Sequence, residues 1–521
     1  MENYNQFDFL PDELILYLFS FFLHEEFLPL MFVCKRFRQI SESMHVPKLT
    51  YYQAVSVSAQ IAKHGYLKLL QWIEEKGFPI KLSTIESAAR GGHLEVVKWF
   101  CGNGYQVNGC VYAEASLGGH LEVLKWLRQN YYHVRTKRRK IRNSRASQHG
   151  IPWDEKTCAN AAYGGHLNIL KWARENGCPW NEQTCANAAY GGHLDILKWA
   201  RENGCPWNEQ TCANAAYGGH LDVLKWTHVN GCPWDDKTCN MATQGGHFEV
   251  LKWAYENGCL LRKHICGTIA ASHGHLEILQ WLHSIGVVCD GRTIAKAAAN
   301  GHLHVLQWAH ENDCSWDEYA CIYAAERGHL IILQWLREKG CLWSENICSS
   351  AAKEGHLIIL QWLRENDCPW DEMTCYEAAR NGHLNVLQWA VDNGCPVRAP
   401  WDSNEHYICV QAAKSGHLEV LKWLLEKGFR CDESVCVKAA KSGHLEVLKW
   451  LLGKGFHCDE SVCVVAAKFG KLHVLKWAID NGLSWTDKCT KIACNRLQTE
   501  VLEWAKMKGF IQHYSFSIYG R

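Results

Sequence analysis

The sequence has no excess of charge. Lys and Arg number 55 against 54 Asp and Glu in 521 residues, a net charge of +1. A chain without a field of one sign is not built to bind nucleic acid or anionic lipid over its whole surface. It has no run of eighteen apolar residues, so no membrane-spanning helix is expected. The opening residues, MENYNQFDFL, lack the basic, apolar and small-residue order of an export signal. We therefore expect an intracellular chain whose 27 cysteines are reduced thiols rather than a disulfide frame. Methionine (6) and proline (11) are scarce, while tryptophan (25) and histidine (28) are abundant. Such a skew points to one phrase copied many times.

The phrase is visible by eye. Residues 154–180 read DEKTCANAAYGGHLNILKWARENGCPW, and residues 181–207 nearly repeat them. The residue after the turn glycine serves as a marker, from Tyr66 through His93, His166 and His329 to Lys471 and Gln498. The step is 27 residues except at three places, with steps of 46, 28 and 34. The two long steps are insertions in one register, at 131–149 and 397–403. This gives sixteen units over about residues 54–510, between an N-terminal module (1–45) and a tail (511–521). Sixteen tryptophans stand six residues after the marker, and the other nine just before the next unit.

Each unit reads as two short helices. Asp154, Asn181, Asn208, Asp235, Asp371 and Asp459 are suited to cap the first helix, because a short side-chain oxygen can accept an orphan N–H. Ala161 and Ala162 let neighbouring first helices approach, and Gly164-Gly165 ends the helix. In the second helix Leu167, Ile169, Leu170, Trp172 and Ala173 cover much of the circumference. A helix of that kind is packed on two sides, which one unit cannot provide but a stack can. Each tryptophan buried this way contributes roughly 4–6 kcal/mol as an upper bound. The expected object is an all-α rod of stacked helix pairs, about 8–10 Å per unit.

The phrase Ala-Ala-x-x-Gly-His-Leu-Glu-Val-Leu-Lys-Trp-Leu, as at 412–424 and 439–451, resembles the ankyrin repeat over about nine tenths of the chain. The resemblance implies an ankyrin-like helical solenoid of about sixteen helix pairs. The unit departs from the family in length, 27 residues against about 33, and lacks its Thr-Pro-Leu-His start. The missing residues fall where the family has its β-hairpin finger, so short loops are expected there. Short Cys-Pro-Trp-Asp units of this kind resemble those of large DNA viruses of amoebae and their hosts.

Residues 7–43 break the period. They read as two or three short helices with more apolar surface than some forty residues can bury alone. The pattern Leu10-Pro11-x-Glu13-Leu14-Ile15-x-x-Leu18-Phe19-x-x-Phe22-Leu23, followed by Val33-Cys34-Lys35-Arg36-Phe37, resembles an F-box, with Phe37 where the family has Trp. The resemblance implies docking on the Skp-family adaptor of a cullin-RING ubiquitin ligase through Leu10, Pro11, Leu14, Ile15, Leu18, Phe19 and Val33. The alternative is a cap that only covers the first repeat.

Nothing in the sequence calls for a cofactor, metal or catalytic set. Cys178 and Cys185 are seven apart, outside ordinary zinc-ligand spacing, and equivalent cysteines of successive units are too far apart to share an ion. They read as small apolar fillers. The recurrent histidine reads as a scaffold residue bonded to a neighbouring carbonyl. The insertion 131–149 carries seven Arg or Lys and no acid, and Lys137–Lys140 fits a nuclear-import or nucleic-acid patch or simply a solvated loop.

Positions that vary among otherwise recurrent units are free to read a partner. On the first helix two such columns lie three residues apart and share a face. They hold Asn160 and Tyr163, Asn187 and Tyr190, and Asn214 and Tyr217 in one stretch, then Lys353, Arg380, Lys414, Lys441 and Lys468 in another. The first is an aromatic and amide ladder, the second a basic ladder suited to an acidic partner. The reading that follows is a non-catalytic ligase substrate receptor, or alternatively a scaffold that sequesters a cellular protein. Either would work in the cytoplasm, or in the nucleus if the basic loop directs import.

Overall fold

The computed structural model describes residues 51–75, 80–105, 107–138, 153–397 and 407–511. The N-terminal module with its seven expected adaptor-contacting residues, most of the short insertion and the tail from 512 lie outside them. The described residues form helices and turns without a strand, in sixteen helix pairs that follow the 27-residue phrase. Two compact units are distinguished. One extends to Cys266 and the other begins at Gly267.

Within each unit first helices pack on first helices, while second helices touch each other far less. The cause is side-chain size. Ala161, Ala162, Ala188 and Ala189 are completely buried, so the helices at Glu155–Tyr163 and Glu182–Tyr190 approach closely. The second helix Leu167–Glu175 buries Ile169, Leu170 and Ala173 against its own first helix and neighbours. The connections between pairs are short, as at 176–181, and no hairpin forms there.

Five of the six expected caps make their bond. Asn181 accepts from the N–H of Gln183 at 3.1 Å, and Asp371 from that of Met373 at 3.0 Å; Asn208, Asp235 and Asp459 do the same. Asp154 occupies the N-cap without a side-chain bond.

Two expectations are corrected. The second-helix tryptophans are mostly half-buried, not enclosed on both sides; Trp172, Trp199 and Trp226 are of this kind, whereas Trp423 and Trp504 are buried. They form an outer belt in which the tryptophan before each unit meets the next one edge-to-face, as Trp180 meets Trp199 at 5.9 Å. Arg174 lies 4.1 Å above Trp180 and donates to the Cys178 carbonyl. The belt is thus finished by a cation–π contact rather than by a second hydrophobic layer. The second correction is at the basic insertion. The helix Leu121–Arg138 runs twice the usual length, so residues 131–138 are helical rather than loop; 139–152 lie outside the described residues.

Candidate protein-binding face

The marker histidine sets the spacing between units. Its Nε2 donates to a carbonyl at the end of the preceding first helix, thirty residues back where no insertion intervenes. His193 reaches Tyr163 O at 3.1 Å, His220 reaches Tyr190 O at 3.0 Å, and His383 reaches Lys353 O at 3.0 Å. The imidazole lies against the turn glycine of that preceding unit. A Cβ built on Gly192 stands 2.6 Å from the His220 ring, and Gly192 has φ +75°. Glycine is required there twice over, by conformation and by space. The histidine column is therefore used up in holding the array, as its recurrence suggested.

The same device orders the face expected to bind. Each tyrosine whose carbonyl accepts a histidine also places its ring on the next. Tyr163 and Tyr190 stack at 5.3 Å, and Tyr190 and Tyr217 at 5.6 Å. Desolvation in the stack, with Tyr163 and Tyr217 on either side, holds the Tyr190 phenol above its ordinary value. The amide column behaves differently. The Asn187 side chain donates to Ala159 O at 3.0 Å and Asn214 to Ala186 O at 3.0 Å, while their oxygens accept from Gln183 and Gln210. Asn160 likewise donates to Ala113 O. These amides join one unit to the next, so the tyrosine rings are the part of this stretch left facing outward; Tyr163 is 42% exposed.

The basic column also divides. Lys353 pairs with Glu326, the residue of the same column one unit earlier, at 2.7 Å, and with Glu354 at 3.6 Å. The hydrogen bond that Lys353 donates to Glu326 is the main cause that raises its ammonium above its ordinary value. Arg380 meets Glu377 at 3.5 Å on its own helix. Among the described residues no carboxylate pairs with Lys414, Lys441 or Lys468. Instead Lys441 and Lys468 approach the Phe469 ring at 4.9 and 5.6 Å. The unneutralised part of the ladder is thus three cations and one exposed phenylalanine.

Two aromatic features escaped the sequence reading. Phe469 stands two residues before the marker, where other units have glycine or a polar residue, and that apolar exception was the available signal. Tyr376 and Tyr407 stack at 5.0 Å and 8°. Tyr376 lies seven residues before its marker and Tyr407 ten before the next, so they fall in different columns, which hid the pair. Desolvation and the bond with Tyr407 push the Tyr376 phenol up to about 12.

Among the described residues no three His, Cys, Asp or Glu side chains gather in a metal-binding group, and no helix is long and apolar enough to cross a membrane.

A family model described as ankyrin repeats (many copies) matches residues 158–201, 185–226, 294–337 and 409–452. A second, described as F-box-like, matches residues 7–45. No curated protein matches. Among solved structures, the human ASB11 ankyrin repeat domain aligns with 30% of this chain and 84% of its own, at 19% identity and TM-score 0.27. The pentatricopeptide repeat protein PPR10 from maize aligns with 90% of this chain and 81% of its own, at 13% identity and TM-score 0.28. The described residues are thus an all-α series of ankyrin-like helix pairs, and residues 7–45 are similar in sequence to the F-box.

Proposed function

We propose that this chain is the substrate-recognition subunit of a cullin-RING ubiquitin ligase. The F-box-like segment would hold a Skp-family adaptor through Leu10, Pro11, Leu14, Ile15, Leu18, Phe19 and Val33, and the solenoid would hold the target. The observation that carries this reading is the union, in one chain, of an adaptor-docking motif with an array of protein-binding repeats. No residue need do chemistry. The contribution is effective concentration, which places lysines of the target beside the charged conjugating enzyme. Target contact is assigned to the tyrosine stack at 163, 190 and 217 and to the cationic stretch at Lys414, Lys441 and Lys468.

Leu14→Asp with Leu18→Asp tests the adaptor half. Two buried carboxylates in an apolar interface cost several kcal/mol. The double variant is expected to lose adaptor in a pull-down while keeping its helical circular-dichroism signal. Normal adaptor recovery would refute the reading. Target abundance tests the other half. A fall rescued by proteasome inhibition supports the receptor, and an unchanged level identifies a sequestering scaffold.

A further inference from the structure

The cysteines vary in pairs. In seven units a cysteine eight residues before the marker is matched by one twelve residues after it, as in Cys185 with Cys205, Cys321 with Cys341, and Cys375 with Cys395. Units lacking one member generally lack the other: Ile85 goes with Tyr105, Gly267 with Val287, and Thr490 with Phe510. Four units carry one without its mate at these positions: Cys314 stands opposite Ile294, Cys463 opposite Leu483, and Cys409 and Cys436 opposite Phe429 and Phe456; Cys314 is hydrogen-bonded instead to Cys289 of the preceding loop. Independent apolar fillers would not be gained and lost together.

The structure brings the two sulfurs of each pair into contact, between the first helix and the loop after the second. Cys321 Sγ lies 2.7 Å from Cys341 Sγ, well inside the ~3.6 Å at which two non-bonded sulfurs rest, a distance of the order of other heavy-atom contacts. In two later units the loop has phenylalanine at the usual place and its cysteine two residues further on. The pairing survives the shift. Cys458 Sγ lies 3.1 Å from Cys436 Sγ, and Cys431 is hydrogen-bonded to Cys409. Keeping contact through a change of position is what a function of the pair requires and what packing alone does not.

We infer that these pairs are disulfide-forming sites, which a peroxide converts from dithiol to disulfide within each repeat unit. The described cysteines are free in the structure. The step balances with hydrogen peroxide as oxidant. The Cys341 sulfur attacks one peroxide oxygen, the O–O bond breaks, and a sulfenic acid and one water result. The Cys321 sulfur then attacks the Cys341 sulfur. The S–S bond forms, the S–O bond breaks, and hydroxide leaves with the Cys321 proton as a second water. In this unit the loop cysteine is the entry point, being 3% exposed where Cys321 is completely buried. The hydrogen bond from Cys321 also lowers the Cys341 thiol below its ordinary value. Each bond staples the loop leading to the next unit onto the first helix of its own.

The test uses the reduced full-length chain treated with hydrogen peroxide, denatured, alkylated and digested without reductant. Mass spectrometry is expected to find Cys321 joined to Cys341, Cys436 to Cys458 and Cys185 to Cys205, with unpaired Cys463 alkylated. The accessible thiol count should fall by two for each linked pair, and dithiothreitol should restore it. Cys321 joined mainly to cysteines of other units, or recovered alkylated, would overturn the inference. Cys341→Ser should leave Cys321 alkylable after the same treatment. If that variant fails to fold, the wild-type peptide map still decides.

Discussion

The threonine nine residues before the marker is completely buried in several units, and its hydroxyl has no hydrogen-bond partner at Thr157, Thr184, Thr211 and Thr238. A buried hydroxyl without a partner is a net cost. Val111, Val435 and Val462 fill the equivalent place elsewhere in the chain without one. Thr184→Val is therefore expected to stabilise the array by ~1 kcal/mol, read as a higher urea midpoint. The two glycine columns separate conformation from space in the same way. Gly192 has φ +75° with the His220 ring in the way of any Cβ, whereas Gly204 has φ +81° with nothing within 4 Å. Aspartate occupies the second column at Asp313 and Asp367, both at positive φ. Gly192→Ala should cost about 2–3 kcal/mol, combining left-handed strain with a clash. Gly204→Asn should cost under ~1 kcal/mol. Equal losses in urea unfolding would contradict the steric part of this argument.

At the scale of helices, the histidine bonds join each turn to the preceding first helix, and they carry a pH dependence. Burial lowers His120, His302 and His417 below the ordinary 6.5, opposed by their carbonyl bonds and reinforced by neighbouring histidines: His93 and His166 beside His120, His273, His275 and His304 beside His302, and His383 and His444 beside His417. The unfolded chain then binds protons that the folded one refuses. Stability from these groups is complete above about pH 6.5 and is lost as the pH falls below it. The urea midpoint should decline from pH 7.5 to 5.5, and His302→Gln should flatten the decline. Glutamine is a fair substitute, because Gln498 already stands at the marker of the last unit. A pH profile unchanged by that substitution would remove His302 from the account. The helices themselves were readable from the phrase. Caps, alanine pairs and glycine stops act within a few residues, so their consequences are local. The tryptophan belt was misread because apolar character says that a ring avoids water, not which neighbour covers it. The cover at Trp180 is Arg174 on one side and Trp199 of the next unit on the other.

At the scale of the whole molecule, the proposed receptor presents two unlike surfaces, and they make separable predictions about target capture. Tyr190→Ala removes the middle ring of the stack while leaving its carbonyl bond to His220, so any loss of target is a loss of contact rather than of fold. If the stack is the anchor, affinity should fall by about 2 kcal/mol or more, roughly thirtyfold. Lys441→Glu with Lys468→Glu reverses the sign of the cationic stretch. An acidic target should then bind more slowly, with the difference shrinking as salt rises. Calorimetry and association rates on the identified target check both. A target unaffected by either change binds elsewhere on the array.

The linear order of residues was enough to establish the repeat, its length, its paired helices and the glycine and histidine punctuation, because each depends on neighbours close along the chain. It was also enough to mark which columns vary. What each varying column has left to offer was settled by stacking. Asn187 is spent on Ala159, Lys353 is tied to Glu326, and Tyr190 lies between two other rings, all through partners about one repeat away. The sulfur pairs belong with these. Their joint presence is written in the sequence, but contact across twenty residues exists only once the loop folds back on its own first helix.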